Sequence, residues 1–118
     1  MSDRDVLRVL RGTRELAGLS EAQLRRLLPF IDEVCVVAST RVADEGRLCH
    51  EFVIVASGLL ETCRRGRPGK LGPGDSFGWN AMRARGLNDA TVVAAGAAHL
   101  LIMGHQQFSA AEALATTA

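Results

Sequence analysis

The sequence predicts a mainly β domain, a sandwich or jelly-roll barrel of about eight short strands, with helices at both ends. Turn signals recur roughly every 8–12 residues through the middle of the chain, as between short antiparallel strands. Residues 3–30 follow helical rather than strand periodicity, and residues 106–114 are alanine-rich and read as a closing helix.

In the helical entry, residues 1–30, Val6, Leu7 and Leu10 fall at helical spacing. Ser20 is an N-cap candidate, and Gln23 three residues on completes a capping-box pattern. Leu24, Leu27 and Leu28 make one apolar face, Arg25 and Arg26 point away, and Pro29 marks the end. Residues 31–104 change to β texture. Strands are expected at 34–37, 41–45 and 51–56, the last being the clearest. Ser57-Gly58 reads as a turn to an antiparallel partner at 59–64. Further turns are expected at 66–69 and 72–75, and a last pair of strands, 90–95 and 99–103, flanks Gly96. Residues 77–88 lack strand alternation and read as a helical turn inserted between strands, a kind of insertion that often carries a ligand. Residues 105–118 form the closing helix and tail.

A length of 118 residues is one domain's worth, and 47% hydrophobic residues suffice for a core. Aromatics are only 4%, with no tyrosine, so Val, Leu and Ala must do most of the packing. The 14 basic residues against 13 acidic ones give a net charge of +1 and no general attraction for nucleic acid or an anionic membrane. Arg64, Arg65, Arg67 and Lys70 form a local basic cluster that reads as a solvated hairpin tip. No apolar run reaches the ~18 residues of a membrane span. The N-terminus carries Asp3, Arg4, Asp5 and Arg8 and lacks the apolar core of a signal peptide, so a cytoplasmic protein is expected. Cys35, Cys49 and Cys63 form no CxxC pair and read as small buried or half-buried hydrophobes, without a redox or metal role.

Several segments, in order, resemble the cyclic-nucleotide-binding domain family of bacterial catabolite activators and kinase regulatory subunits. They are residues 16–28, Asp44-Glu45-Gly46, residues 52–61, Leu71-Gly72-Pro73-Gly74-Asp75-Ser76-Phe77-Gly78 and Ala90-Thr91-Val92. The resemblance runs over about residues 14–108 and implies a β-roll, that is, a double-stranded β-helix, with flanking helices and a short cassette helix. In that family a phosphate-binding cassette offers helix amides to the cyclic phosphate. An arginine clamps the phosphate, and a glutamate two residues after the cassette phenylalanine accepts from the ribose hydroxyl. Position by position, Phe77-Gly78 matches, Trp79 stands at the glutamate position and Asn88 at the arginine position, while Ala81, Ala90 and Thr91 match without insertion or deletion.

The cassette is therefore degenerate: its length is kept and its charges are replaced. Its candidate ligand-binding residues are Gly78, Trp79, Asn80, Ala81, Arg83, Arg85, Asn88, Asp89, Ala90 and Thr91. Asn88 brings no positive charge and Asp89 beside it adds a negative one; loss of the arginine clamp should weaken binding about tenfold to several-hundredfold. No cofactor is expected, and cAMP and cGMP are disfavoured. Arg83 and Arg85 read either as an exposed face of the cassette helix or as replacement phosphate ligands. Trp79 reads either as a plug in the apolar mouth of the roll or as an interface anchor.

Other chemistry is set aside. Cys49-His50-Glu51 would alternate between faces of a strand and cannot converge on a metal. His99 and His105 are isolated, and no nucleophile motif or phosphate-binding P-loop is present. Asp44 and Glu45 read as solvated turn residues. Many bacterial relatives carry a DNA-binding helix-turn-helix after the long helix that follows the roll; no such segment follows here, so direct nucleic-acid binding is not expected. A non-catalytic regulatory module remains, working through a protein partner or a homodimer and without a membrane. The alternative is a sensor that holds a cyclic nucleotide or another phosphorylated metabolite weakly.

Overall fold

The computed structural model describes residues 1–117. Helix α1 (Asp3–Arg11) is capped by Ser2, whose hydroxyl accepts from the Asp5 amide, and it buries Val6, Leu7 and Leu10. A single 3-10 turn (Arg14–Leu16) leads to α2 (Glu21–Leu27). The capping box is present: the Gln23 amide donates to Ser20 Oγ at 3.2 Å, and the Ser20 amide to Gln23 Oε1 at 2.8 Å. Pro29 sits in a second 3-10 turn, Leu28–Phe30, that ends the helical entry.

Eight strands follow: β1 (Asp32–Val36), β2 (Arg41–Ala43), β3 (Phe52–Ser57), β4 (Leu60–Arg64), β5 (Arg67–Leu71), β6 (Ser76–Phe77), then, after α3 (Trp79–Ala84), β7 (Thr91–Ala94) and β8 (Ala98–Met103). They form two antiparallel four-stranded sheets, ordered β1-β8-β3-β6 and β2-β7-β4-β5. This is the expected jelly-roll, mainly β with flanking helices.

The first sheet is covered on both faces, which explains why residues 52–55 are all buried. Phe52 and Ile54 pack with Leu101, Met103 and the helices, while Val53 and Val55 pack with Leu100 and Ile102 against the second sheet. Two cores therefore share β3 and β8.

The strands depart from the sequence reading in two respects. Ser57-Gly58 does not join antiparallel partners: β3 and β4 lie in different sheets, and the segment is a corner between them. Gly58 has φ +90°, and a Cβ there would lie 2.6 Å from the Ala97 carbonyl oxygen, so the corner needs glycine. The residues expected to form a turn at 66–69 mostly belong to β5; the turn is Arg65-Gly66, both at positive φ, and Arg64 pairs with Arg67. The Arg64, Arg65, Arg67 and Lys70 tip is exposed, as expected.

One further reading is corrected. Cys49 is buried, but Cys35 and Cys63 are exposed because they fall on the outward positions of β1 and β4. Asp44 and Glu45 lie at the solvated turn after β2, as expected, and both are also hydrogen-bonded. Asp44 Oδ1 accepts from Arg41 at 2.7 Å, and Glu45 Oε1 accepts from the Arg65 amide at 3.0 Å. The closing helix, α4 (His105–Thr117), begins one residue before the expected start and outlasts the expected end; Ala118 of the expected tail lies outside the described residues. Among the described residues no helix is long and apolar enough to cross a membrane.

Candidate functional site

The chain leaves β6 through Gly78 at φ +96°, a left-handed position that starts α3. The position is crowded as well as strained: a Cβ on Gly78 would lie 2.6 Å from the Glu51 carbonyl oxygen. Arg85 ends α3 at φ +51°, and the Gly86 amide closes the turn on the Ala81 carbonyl oxygen at 2.8 Å. A loop then returns to β7, held from outside by the segment after β2. The Cys49 amide donates to the Gly86 carbonyl oxygen, the Asn88 amide to that of Arg47, and the Gly46 amide to that of Asn88, each at 2.8–2.9 Å. The inserted helical turn expected over residues 77–88 is thus present and fixed at both ends.

Beside it lies a cleft of about 460 Å³. Of the sequence-derived candidates, Gly78, Trp79, Asn80, Ala81, Asn88, Asp89 and Ala90 line it. Thr91 is turned to other work, its Oγ1 accepting from the Glu45 amide at 3.1 Å. Arg83 and Arg85 are not among the lining residues, and both are exposed. Arg83 Nε instead lies 2.8 Å from Glu112 Oε2 and ties α3 to α4.

Trp79 has an equally definite place. Its ring packs edge-on against Phe52 at 5.1 Å and against Phe108 of α4 at 4.9 Å between centroids, and Phe52 meets Phe108 at 5.9 Å. The indole is half-buried and packs on the helix-side core while also forming cleft wall. Asn88 is half-buried too, and its side-chain amide donates to the Asp44 carbonyl oxygen at 3.0 Å.

Sequence reading missed the opposite wall of the cleft, which Arg14, Glu15 and Ser76 supply. Ser76 Oγ donates to Glu15 Oε1 at 2.6 Å, and Arg14 lies 3.7 Å from Glu15 Oε2. Glu15 and Ser76 are 61 positions apart, so no local pattern points to the pair. The cleft's charged side chains are thus Arg14, Glu15 and Asp89, the last 3.8 Å from exposed Arg64. Beneath Gly78, burial raises the Cys49 thiol above its ordinary range, with the charges of Glu51 and Asp89 adding to the effect. A backbone hydrogen bond at Glu51 partly opposes it.

Comparison with solved structures matches this architecture widely. The regulatory domain of Toxoplasma gondii PKA, crystallised with cAMP, superposes with a TM-score of 0.84 at 28% identity, covering 96% of this chain and 46% of that one. A putative cyclic nucleotide binding protein from Ruegeria pomeroyi gives 0.81 at 13% identity, covering 96% and 53%, and the Thermus thermophilus catabolite activator protein 0.75 at 22%, covering 87% and 53%. The last two show the fold alone. The chain spans about half the length of these three structures. A search of curated proteins gives no match. The model of the cyclic nucleotide-binding domain matches residues 33–112, from β1 into α4 and across the whole roll and cassette. With the family pattern in sequence, two sheets and a cassette in structure, and that match over most of its length, this chain belongs to the cyclic nucleotide-binding domain family.

Proposed function

We propose that this chain is a non-catalytic regulatory module that keeps the fold of its family, does not hold cAMP or cGMP through the family's glutamate and arginine chemistry, and acts through contact with protein. The observation that carries this is the place of Trp79. Where the resemblance puts a ribose-binding carboxylate, an indole is packed between Phe52 and Phe108. A ring in that setting offers a sugar hydroxyl no acceptor.

The charge balance supports the same reading. At the phosphate-clamping position Asn88 is neutral, and its amide already serves the Asp44 carbonyl oxygen. The cleft offers Arg14 against Glu15 and Asp89, so a cyclic phosphate would gain little from its walls. Relatives of similar architecture are described as a regulatory domain and an activator protein, in keeping with a regulatory rather than catalytic role. A cytoplasmic location goes with this reading.

A second reading draws on the cleft itself. At about 460 Å³ it falls within the roughly 300–1,000 Å³ of small-molecule sites. It would take a small ligand, a phosphorylated metabolite included, in a mode that does not depend on the family's charged pair.

A thermal-shift panel of cAMP, cGMP and phosphorylated metabolites separates the two, because a ligand that binds only the folded state raises its melting temperature. Expected is no shift with any compound at millimolar concentration, together with a mass by light scattering that rises with protein concentration or on adding a partner. A saturable rise with cAMP or cGMP overturns the first reading. A saturable rise with another compound favours the second.

A further inference from the structure

A second concavity, far from the cassette in sequence, lies between α1 and α2. It is lined by Arg4, Leu7, Arg8, Arg11, Glu21 and Arg25 and measures about 480 Å³. Four guanidinium groups face one carboxylate in a chain whose net charge is only +1. Arg8 and Arg11 complement the C-terminal end of α1, as basic residues in a last turn do. Arg4 has no such reason: it lies in the first turn, where the helix dipole disfavours a cation.

The groove already displays the chemistry it accepts. The Glu21 carboxylate lies 3.4 Å from Arg11 and 3.7 Å from Arg25, a bridge across the two helices. Arg4 and Arg8 enter no ion pair among the described residues. With Arg11 they are spaced three to four residues apart and so share one face of α1, over about 10 Å of axial rise. An extended peptide covers that distance in about three residues.

We infer that the α1–α2 groove is a docking surface for an acidic segment of a protein partner, an extended peptide whose carboxylates or phosphoryl groups reach Arg4, Arg8 and, by displacing Glu21, Arg11 and Arg25. The inference rests on the protein-contact reading above and gives that contact a place and a chemistry. A nucleic acid is less well served, since the groove has no aromatic side chain on which a base stacks and no basic stripe continues from it. A membrane is less well served too, because its one apolar side chain, Leu7, is buried beneath the arginines.

The test is fluorescence anisotropy at low ionic strength with a labelled deca-glutamate peptide and a deca-glutamine control. Expected is saturable binding of the acidic peptide alone, weakened as salt rises. The pair Arg4→Gln and Arg8→Gln should weaken it about fivefold to thirtyfold. Arg64→Gln with Arg67→Gln, on the exposed hairpin tip, should leave it unchanged. Glu21→Gln should strengthen it severalfold, since it removes the internal competitor; a merely structural groove would show no such gain. Circular dichroism melts check that every variant is folded. No saturable binding, equal loss from the hairpin pair, or no gain from Glu21→Gln overturns the inference. So does tighter groove-dependent binding of an oligo-dT strand or of phosphatidylserine vesicles than of the peptide. Failure here leaves the cyclic-nucleotide panel unaffected, so the two readings fail separately.

Discussion

Trp79 and Asn88 stand at the two positions where the family resemblance puts charged side chains, in a cassette whose backbone frame is intact. The backbone hydrogen bonds of the loop are made by Gly46, Arg47, Cys49, Gly86 and Asn88 main-chain groups, so these bonds do not depend on the side chain at residue 88. Trp79 packs on the helix-side core, and Trp79→Ala should cost about 2–4 kcal/mol in urea unfolding, somewhat less than for a fully buried ring. Trp79→Glu combined with Asn88→Arg should gain measurable cAMP binding by calorimetry while lowering the melting temperature, because the same exchange that restores charge opens the aromatic cluster. Gly78→Ala should destabilise by about 1–3 kcal/mol from backbone strain alone, since φ there is +96°. Cys49 adds a pH dependence whose sign is set by burial. Its thiol is raised above 9.0 in the folded state, so the stability it contributes is whole below the unfolded-state value and is lost as pH rises through the folded one. Wild type should therefore lose stability faster than Cys49→Ala as pH climbs past about 9, read as urea midpoints. Most of these residues were legible as positions in a motif. What each now touches was not, because a motif fixes spacing and leaves contacts open.

At the scale of elements, the cassette helix and the closing helix form one unit. Phe108 packs on Phe52 and Trp79, and Arg83 reaches Glu112. The two contacts should contribute unequally. Phe108 is 3% exposed, and Phe108→Ala should cost about 3–5 kcal/mol and speed amide exchange throughout α4. The Arg83 side chain is 52% exposed, and Arg83→Ala should cost only about 0.2–1 kcal/mol, with exchange in α4 close to wild type. Hydrogen exchange of the two variants measures the difference. The sequence placed α2 closely through Ser20 and Gln23, and β3 through its run of β-branched residues. It did not show that β3 and β4 part at Gly58, because two strands joined by a short glycine segment look alike whether they pair or cross between sheets.

The whole molecule is two sheets sharing one core, with a second core under the helices and, among its concavities, the cassette cleft and the α1–α2 groove. The order of motifs along the chain was enough to anticipate the roll, although β5 overlaps residues that read as a turn and the two-residue β6 is too short to show strand alternation. The far wall of the cassette cleft was hidden, since Glu15 meets Ser76 only once the helical entry folds back on the roll. So was the α1–α2 groove, where Arg25 had read only as a side chain pointing away from its own helix's apolar face. Both concavities are made by helices meeting something distant, which periodicity does not record. Within that molecule, the central claim is that the cassette persists as structure while its nucleotide chemistry is gone. Isothermal titration of the wild-type chain with cAMP tests it most directly. Expected is no saturable heat with cAMP up to about 1 mM, a level at which binding worth even 4 kcal/mol would show. A stoichiometric isotherm with a micromolar dissociation constant would contradict it.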